Sequence, residues 1–321
     1  MATLVHDEAR AHRLLDRATA GVPGAVLASL DAVSRRWIAA ACPQHLPEIE
    51  AIAHRLARPG AYFLSVSYEW GCSCKVAPSA DGASARLVRV LDWRVPGLGA
   101  GVMAVRVAGP AGPFVTLTWP GYTGVLQAMA PGRFSATFNQ APLRTGSGLY
   151  ALDWLAARRR VWHTRATTAG HLLRHVCENA ADFAEAARLL TTTPIAAPCI
   201  YLLAGLGHEE TIIIERTEVE ARCHPGPRVA ANHWQARGWR GRPRGHDSGG
   251  RARSMAAVAP VMDPAFPWLV APMLNPLTRL VMVADARRDW LVARGYEARH
   301  PATATLELTA PAPVLARRHA V

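Results

Sequence analysis

The sequence predicts an α+β protein in which helices and strands occupy separate blocks. Residues 1–58 carry apolar residues at three-to-four spacing, the mark of amphipathic helices. From about residue 61 to 140 the chain breaks into short β-rich runs punctuated by Gly or Pro. A second helical block and a second strand block follow, without the strand–helix–strand alternation that builds a doubly wound parallel sheet.

From the N-terminus, "HDEARAHRLLDRA", "PGAVLASLDAVSRRWIAAAC" and "PEIEAIAHRLA" each predict a helix. "ARPG" then breaks the pattern, and the apolar run from Ala61 to Ser67 predicts the opening of the first strand. "ARLVRVLDW", "GVMAVRVAG", "FVTLTWPG", "TGVLQAMA" and "GRFSATFNQ" predict consecutive antiparallel strands. "GLYALDWLAARRRVW" and "TAGHLLRHVCENAADFAEAARLLTTTP" are amphipathic, and Pro194 closes the second. Strands return in "CIYLLAGL", "ETIIIER" and "RVAANHW". Residues 236–254 read as a Gly/Arg-rich loop, "PLTRLVMVADARRDW" as a helix and "ATATLELTAP" as a last strand.

At 321 residues and 50% hydrophobic content, the chain has material for a substantial core in one large domain or two modest ones. No run of 18 apolar residues suggests stable membrane insertion. The charged start "MATLVHDEARAHRLLDR" lacks a signal-peptide h-region, which points to a cytoplasmic location. The formal net charge of +12 raises nucleic acid as a partner. Against that, Lys75 is the only lysine and the arginines are scattered outside 237–253, so the skew reads as coding bias and no nucleic acid partner is expected. The 6 cysteines (Cys42, Cys72, Cys74, Cys177, Cys199, Cys223) form no regular framework, which favours reduced thiols.

Two of those cysteines stand together in "YFLSVSYEWGCSCKVAPSADG" (62–82). A C-x-C pair lacks the C-x₂-C spacing of zinc knuckles, and no second pair completes four ligands, so neither metal nor cofactor is expected. A redox pair needs C-x-x-C at a helix start. Two readings stay open: small semi-apolar residues packed in a strand, or a nucleophile. For the second, Gly71 removes side-chain bulk before Cys72, so the backbone there can take a strained conformation. The thiol can then attack the preceding carbonyl, and hydrolysis of the thioester leaves Cys72 with a free α-amine. That amine, with an ordinary pKa of about 7.7–8.0, can act as general base for its own thiol. The 13 histidines are scattered and single out no partner.

Seven ordered segments between about residue 60 and 290 resemble the acid ceramidase / N-acylethanolamine acid amidase family of N-terminal nucleophile (Ntn) hydrolases, which are related to choloylglycine hydrolases. "YEWGCSCKVA" is similar to the family's Y-E strand, catalytic Cys-Thr-Ser and V-A continuation, and "RVLDW" (89–93) to R-N-x-D-[FY]. "WPGYTGVLQAMAPGRFSATFNQ" (119–140) resembles the G-Y-x-G segment with the F-S-x-x-x-N-E strand, and "GLYALDWL" the E-W-[IL] helix start. "AARLLTTTPIAAPCIYLLAG", "VAANHW" and "DSGGRARSM" resemble the A-P-x-[YF], Q-T-N-[YHW] and D-[DS]-x-x-R segments.

The resemblance implies a four-layer αββα sandwich with an N-terminal helical segment. Residues 1–71 would be a helical propeptide or α-subunit and 72–321 the catalytic β-subunit, the two staying associated as an αβ heterodimer. It implies Cys72 as nucleophile, Asp92 on its α-amine, Arg89 ordering the site, Asn232 as oxyanion donor and Arg251 as the late arginine. Gly121, Tyr122, Gly124, Asn139 and Gln140 would shape the substrate pocket, and Cys74 would be a small packing residue. The implied reaction is hydrolysis of a linear N-acyl amide, fatty-acyl or ceramide-like, with acyl transfer to an amine as the alternative.

Three other features keep two readings each. Asn139-Gln140 replaces the family's N-x-E, which leaves room for a binding protein that keeps the fold without cleaving itself. Tyr68 and Glu69 read equally as strand-edge residues. The arginines of the 237–253 loop (Arg237, Arg240, Arg242, Arg244, Arg251, Arg253) read as a solvated face or as an anion clamp near the site.

Overall fold

A computed structural model describes residues 8–66 and 69–309. Its N-terminal block is helical: α1 (Glu8–Ala18), α2 (Gly24–Ala41), α3 (Leu46–Leu56) and α4 (Ala61–Val66). The α4 stretch corrects the sequence reading, which placed a strand there; Ser67 and Tyr68 lie outside the described residues. The helix forms because its backbone and small side chains find partners in the block. Leu64 N–H donates to Gly60 O at 2.9 Å, and Phe63 N–H donates to Asp31 Oδ1 of α2 at 2.8 Å. Ala61 packs with Leu15, Ile52 and Leu56, so tertiary burial outweighs the β preference of the aromatic run.

The strands that follow are β1 (Trp70–Pro78), β2 (Ala85–Trp93), β3 (Met103–Val107), β4 (Phe114–Thr118), β5 (Gln127–Ala130) and β6 (Phe134–Gln140). Helices α5 (Tyr150–His163), α6 (Ala169–Asn179) and α7 (Phe183–Thr192) come next. What reads as one amphipathic run over 168–194 is two helices. Thr168 caps the first and Asp182 the second, each side chain accepting a backbone N–H. Strands β7 (Cys199–Ala204), β8 (Thr211–Arg216), β9 (Ala221–Pro225) and β10 (Arg228–Ala230) lead to α8 (Ser248–Ala256). The chain closes with β11 (Thr278–Asp285), β12 (Trp290–Glu297), β13 (His300–Pro301) and β14 (Leu306–Leu308).

A second correction falls on 276–290, where a helix was expected and β11 stands. Every residue of β11 is buried, and the strand pairs with β2 on one side and β12 on the other. A central strand with two apolar faces loses the alternation that distinguishes it from a buried helix. Strands β9 and β12 had no sequence signal strong enough to be read.

Two antiparallel sheets face each other, in the orders β10-β1-β2-β11-β12-β13, with β14 also on β12, and β3-β4-β5-β6-β7-β8-β9. The main core lies between them: Cys72, Cys74, Val76, Leu87 and Leu91 of the first sheet meet Phe134, Phe138, Tyr201 and Ile213 of the second. The opposite side chains of β2, Val88 and Val90, pack under Met255 of α8 and Met262, Phe266 and Met273 of the irregular segment after it. Helices α6 and α7 contact the second sheet on β6, β7 and β8. The result is the expected four layers, with the layer over the first sheet made largely of irregular chain.

The helical block is tied to the body through buried polar contacts. Arg174 Nη1 of α6 donates to Glu48 Oε2 of α3 at 2.6 Å, and His45 stacks on His171 at 4.5 Å between ring centroids. Burial first, then the Arg174 charge, pushes His45 down to about 3, and burial holds His171 well below the ordinary histidine value. The unfolded chain takes up protons on these rings as pH falls through 6.5, whereas the buried rings do not, so acid favours unfolding. Glu48, raised by burial, works in the opposite sense. With two histidines against one carboxylate, unfolding free energy is expected to fall between pH 7 and 5, by up to about 1.4 kcal/mol per pH unit per histidine, and melting temperature with it. His45→Asn should flatten that slope in thermal melts; an unaltered slope would refute the assignment.

Candidate active site

The register of β1 and β2 builds the centre of the site. Cys72 and Cys74 are two residues apart on β1 and so share its inward face, while Cys74 lies opposite Arg89 of β2. Arg89, fully buried, reaches both sulfurs: Nη2 donates to Cys72 Sγ at 3.2 Å and Nη1 to Cys74 Sγ at 3.5 Å. Its Nη1 also donates to Thr137 Oγ1, to Phe138 O at 3.1 Å and to Asn139 Oδ1 at 3.2 Å, all on β6 of the facing sheet. No carboxylate pairs with this guanidinium among the described residues, so its nearest latent anion is a thiolate. Burial pushes the Cys72 thiol up to about 12, with Arg89 and Arg251 pulling it down and Cys74 and Asp92 opposing them. Cys72 is therefore a covered, protonated thiol beside a buried cation.

The backbone of Cys72 is held from the outer side of the sheet. Its N–H donates to Asn232 Oδ1 at 2.7 Å, and Arg251 Nη1 donates to its carbonyl and to Ser73 Oγ at 3.0 Å. Arg251 Nη2 donates to the same Asn232 Oδ1 at 3.0 Å, and two donors on one atom fix the orientation of the amide. Asn232 Nδ2 donates to Gln140 O at 2.9 Å, so Asn232 acts toward Cys72 as an acceptor. Ser248 at the start of α8 holds the residue in place, its Oγ accepting from Asn232 N–H at 2.9 Å. Asp92 lies directly opposite Gly71 in the β1–β2 ladder and 3.7 Å from Arg251 Nη1. Asn275 Nδ2 and Thr278 Oγ1 donate to its two oxygens at 3.1 and 3.0 Å. Burial raises the Asp92 pKa, and Arg251 counteracts it.

Gly71 differs from its sequence reading. It sits in regular extended backbone paired with Asp92, and a Cβ there would lie 3.4 Å from Asp92 Cβ and Oδ2 and from Gly245 Cα. The strained glycine is Gly245, with φ +70°, where a Cβ would come within 2.7 Å of Arg251 Nη2 and 3.0 Å of Gly71 Cα. Gly245→Ala is therefore expected to cost about 1–3 kcal/mol and to displace Arg251, whereas Gly71→Ala should stay close to wild type in denaturant unfolding. Equal stability of the two variants would overturn this ranking.

The five residues proposed for catalysis thus converge on the Trp70–Cys72 strand from β1, β2, the β10–α8 connection and α8. Asn139 and Gln140 join them: Asn139 Nδ2 donates to Ala230 O at 3.1 Å and Ala231 O at 3.0 Å, and Gln140 Oε1 accepts from Trp70 N–H at 3.0 Å. Arg251 belongs to α8 and is fully buried, unlike the exposed Arg237, Arg240, Arg242 and Arg253 of the same segment. Cys74 does more than pack, since its thiol donates to Asn139 Oδ1 at 3.0 Å. Gly121 and Tyr122 stand apart, lining an apolar cavity of about 300 Å³ under α1, α3 and α4. Gly124 leaves room for the Tyr122 hydroxyl, which a Cβ would meet at 2.6 Å. Ser248, Asn275, Thr278 and Gly245 were not singled out from sequence; only Ser248 lay inside a quoted motif, "DSGGRARSM".

No protein-family model matches the chain. Acid ceramidase from Homo sapiens is 35% identical over 108 residues, which is 34% of this chain and 26% of that protein. Acid ceramidase from Mus musculus is 32% identical over 108 residues, with the same 34% and 26% coverage. The chain thus spans about a quarter of the length of the relatives it matches. The solved Caenorhabditis elegans N-acylethanolamine-hydrolyzing acid amidase ortholog superposes with a TM-score of 0.52 at 21% identity, over 66% of this chain and 92% of that one. The two facing antiparallel sheets accord with that likeness: over about a third of its length the chain is similar in sequence to acid ceramidases, and it shares the fold of the solved amidase.

Proposed function

We propose that the chain is a self-processing cysteine amidohydrolase acting on N-acyl amides. The observation that carries this reading is the convergence on one strand residue: a buried guanidinium on the Cys72 thiol, an acceptor on its N–H, a donor on its carbonyl and a carboxylate opposite Gly71. The names of its relatives, acid ceramidase and an N-acylethanolamine-hydrolyzing amidase, favour an acyl amide as substrate.

Self-cleavage would begin with attack of Cys72 Sγ on the Gly71 carbonyl carbon. A C–S bond forms, the Gly71–Cys72 C–N bond breaks, and the thiol proton goes to the departing nitrogen. Water then adds to the thioester, releasing the Gly71 carboxylate and returning the thiol. The freed α-amine inherits the Asn232 Oδ1 contact, and loss of Gly71 uncovers Asp92, which stabilises the ammonium form. In turnover the amine accepts the thiol proton, the thiolate takes the acyl group, the proton passes to the leaving amine, and water releases the acid.

The two pieces would stay associated. Besides the Glu48–Arg174 pair, Trp37 Nε1 donates to Val161 O at 2.8 Å, and Leu14 packs in the main core. The glutamate expected beside the nucleophile is replaced by Gln140, whose amide oxygen still supplies an acceptor for Trp70 N–H.

Rapid quenching with an N-dodecanoyl amide tests the reading. The fragment beginning at Cys72 is expected to gain one acyl mass, labile to hydroxylamine, while fatty acid accumulates at the steady-state rate. A chain that takes up no acyl group and releases no acid would sink it.

A further inference from the structure

Resting on that amidase reading, the cavities around Gly71 specify the substrate further. Besides the apolar cavity under the helices, a polar cavity of about 360 Å³ is lined by Gly71, Asp92, Arg94, Arg242, Arg244 and His246, with Glu69, Trp93 and Tyr150 on its walls. The two cavities share Glu69, Trp93 and Arg94, so they meet within two residues of the scissile strand.

The charge in the polar cavity does not balance. Its carboxylates are already engaged: Glu69 with Arg244 and the Tyr150 hydroxyl, and Asp92 with Arg251, Asn275 and Thr278. Arg94 and Arg242 form no direct ion pair with a carboxylate among the described residues; the Arg242 side chain donates to Gly148 O at 2.8 Å, lies over the Tyr150 ring at 5.8 Å and acts on Asp153 only through its charge. Two guanidiniums without a direct ion-pair partner in one cavity, and an adjoining apolar cavity, lie beside Gly71, the neighbour of the residue that would attack an amide.

We propose that the substrate is an N-acyl amino acid, its acyl chain in the apolar cavity and its carboxylate held by Arg94 and Arg242. Guanidinium–carboxylate hydrogen bonds are charge-assisted and bidentate-capable, which suits an anion more than the hydroxyl of an amino alcohol. An exposed pair of this kind gives a preference of about tenfold that weakens with salt.

Hydrolysis-resistant sulfonamides allow binding to be read on the wild-type chain, since Cys72→Ala would keep Gly71 over the site. By calorimetry, N-dodecylsulfonylglycine is expected to bind about tenfold more tightly than N-dodecylsulfonylethanolamine, which differs in replacing the carboxylate by a hydroxymethyl group. The ratio should shrink at high salt and approach one in Arg94→Gln/Arg242→Gln, while Arg237→Gln/Arg240→Gln keeps it. Both pairs are exposed, so melting curves should report folded variants. Equal binding of the two ligands, tighter binding of the neutral one, or a preference that survives the Arg94/Arg242 double substitution would overturn the proposal. Wild-type turnover separates it from the amidase reading. Equal kcat/KM on N-dodecanoylglycine and N-dodecanoylethanolamine keeps the amidase and removes the anion subsite, and selective binding with no turnover does the reverse.

Discussion

On the proposed reading, the wild type is expected to give two fragments split between Gly71 and Cys72, and Cys72→Ala to leave one uncut chain. Denaturing electrophoresis with intact mass reads this directly, and amide hydrolysis should fall to background in the same variant. The loss should be total because the proposed mechanism uses one sulfur for both steps and no other thiol among the described residues stands in its place. Cys74 is the nearest, but its thiol donates to Asn139 and its own upstream carbonyl is that of Ser73. Removing the side chain leaves a methyl-sized gap in a packed core, an effect of about 1 kcal/mol that does not unfold a chain of this size. Cleavage that persists at the same bond in Cys72→Ala would refute the assignment of the nucleophile.

Arg89→Met is expected to slow self-cleavage by about 10²–10³-fold, the range for losing a buried donor from a developing anion. The sign follows from the site. Arg89 pulls the Cys72 thiol down against burial, so without it the thiol titrates higher still and less thiolate is available at any pH below that point. The rate-against-pH profile should therefore shift to higher pH as well as fall. Arg89→Lys keeps a charge but not the fork that spans both sulfurs and β6, so it should recover part of the rate. A merely structural Arg89 would lower the melting temperature without moving the pH profile, and that outcome would reject its role at the thiol.

Much of the site was legible because its members lie in short segments with recognisable spacing. Cys72 in "GCSC" was a candidate from local pattern, and Arg89 and Asp92 in "RVLDW", Asn232 in "AANHW" and Arg251 in "DSGGR" were named through the family resemblance of those segments; the fold brings all five to one strand. Their supports were not legible. Asn275 and Thr278 reach Asp92 across more than 180 positions, and no local spacing records a contact of that kind. The role assigned to Cys74 was too small for the same reason, since only the parity of β1 against Arg89 puts both thiols on one guanidinium.

By itself the sequence determined the helical and strand blocks, which rest on local periodicity, while the expectation of facing sheets and the candidate residues at the centre came from the family resemblance of its ordered motifs. Tertiary structure decided the rest. It made a helix of 61–66 and a strand of 278–285, because burial against α2 and α3 in one case, and between β2 and β12 in the other, outweighs local preference. It moved backbone strain from Gly71 to Gly245, because Arg251 needs the space a side chain would fill. It also gathered Arg94 and Arg242, far apart in the chain, around one cavity beside the scissile bond, a placement that depends on distances only the folded chain sets.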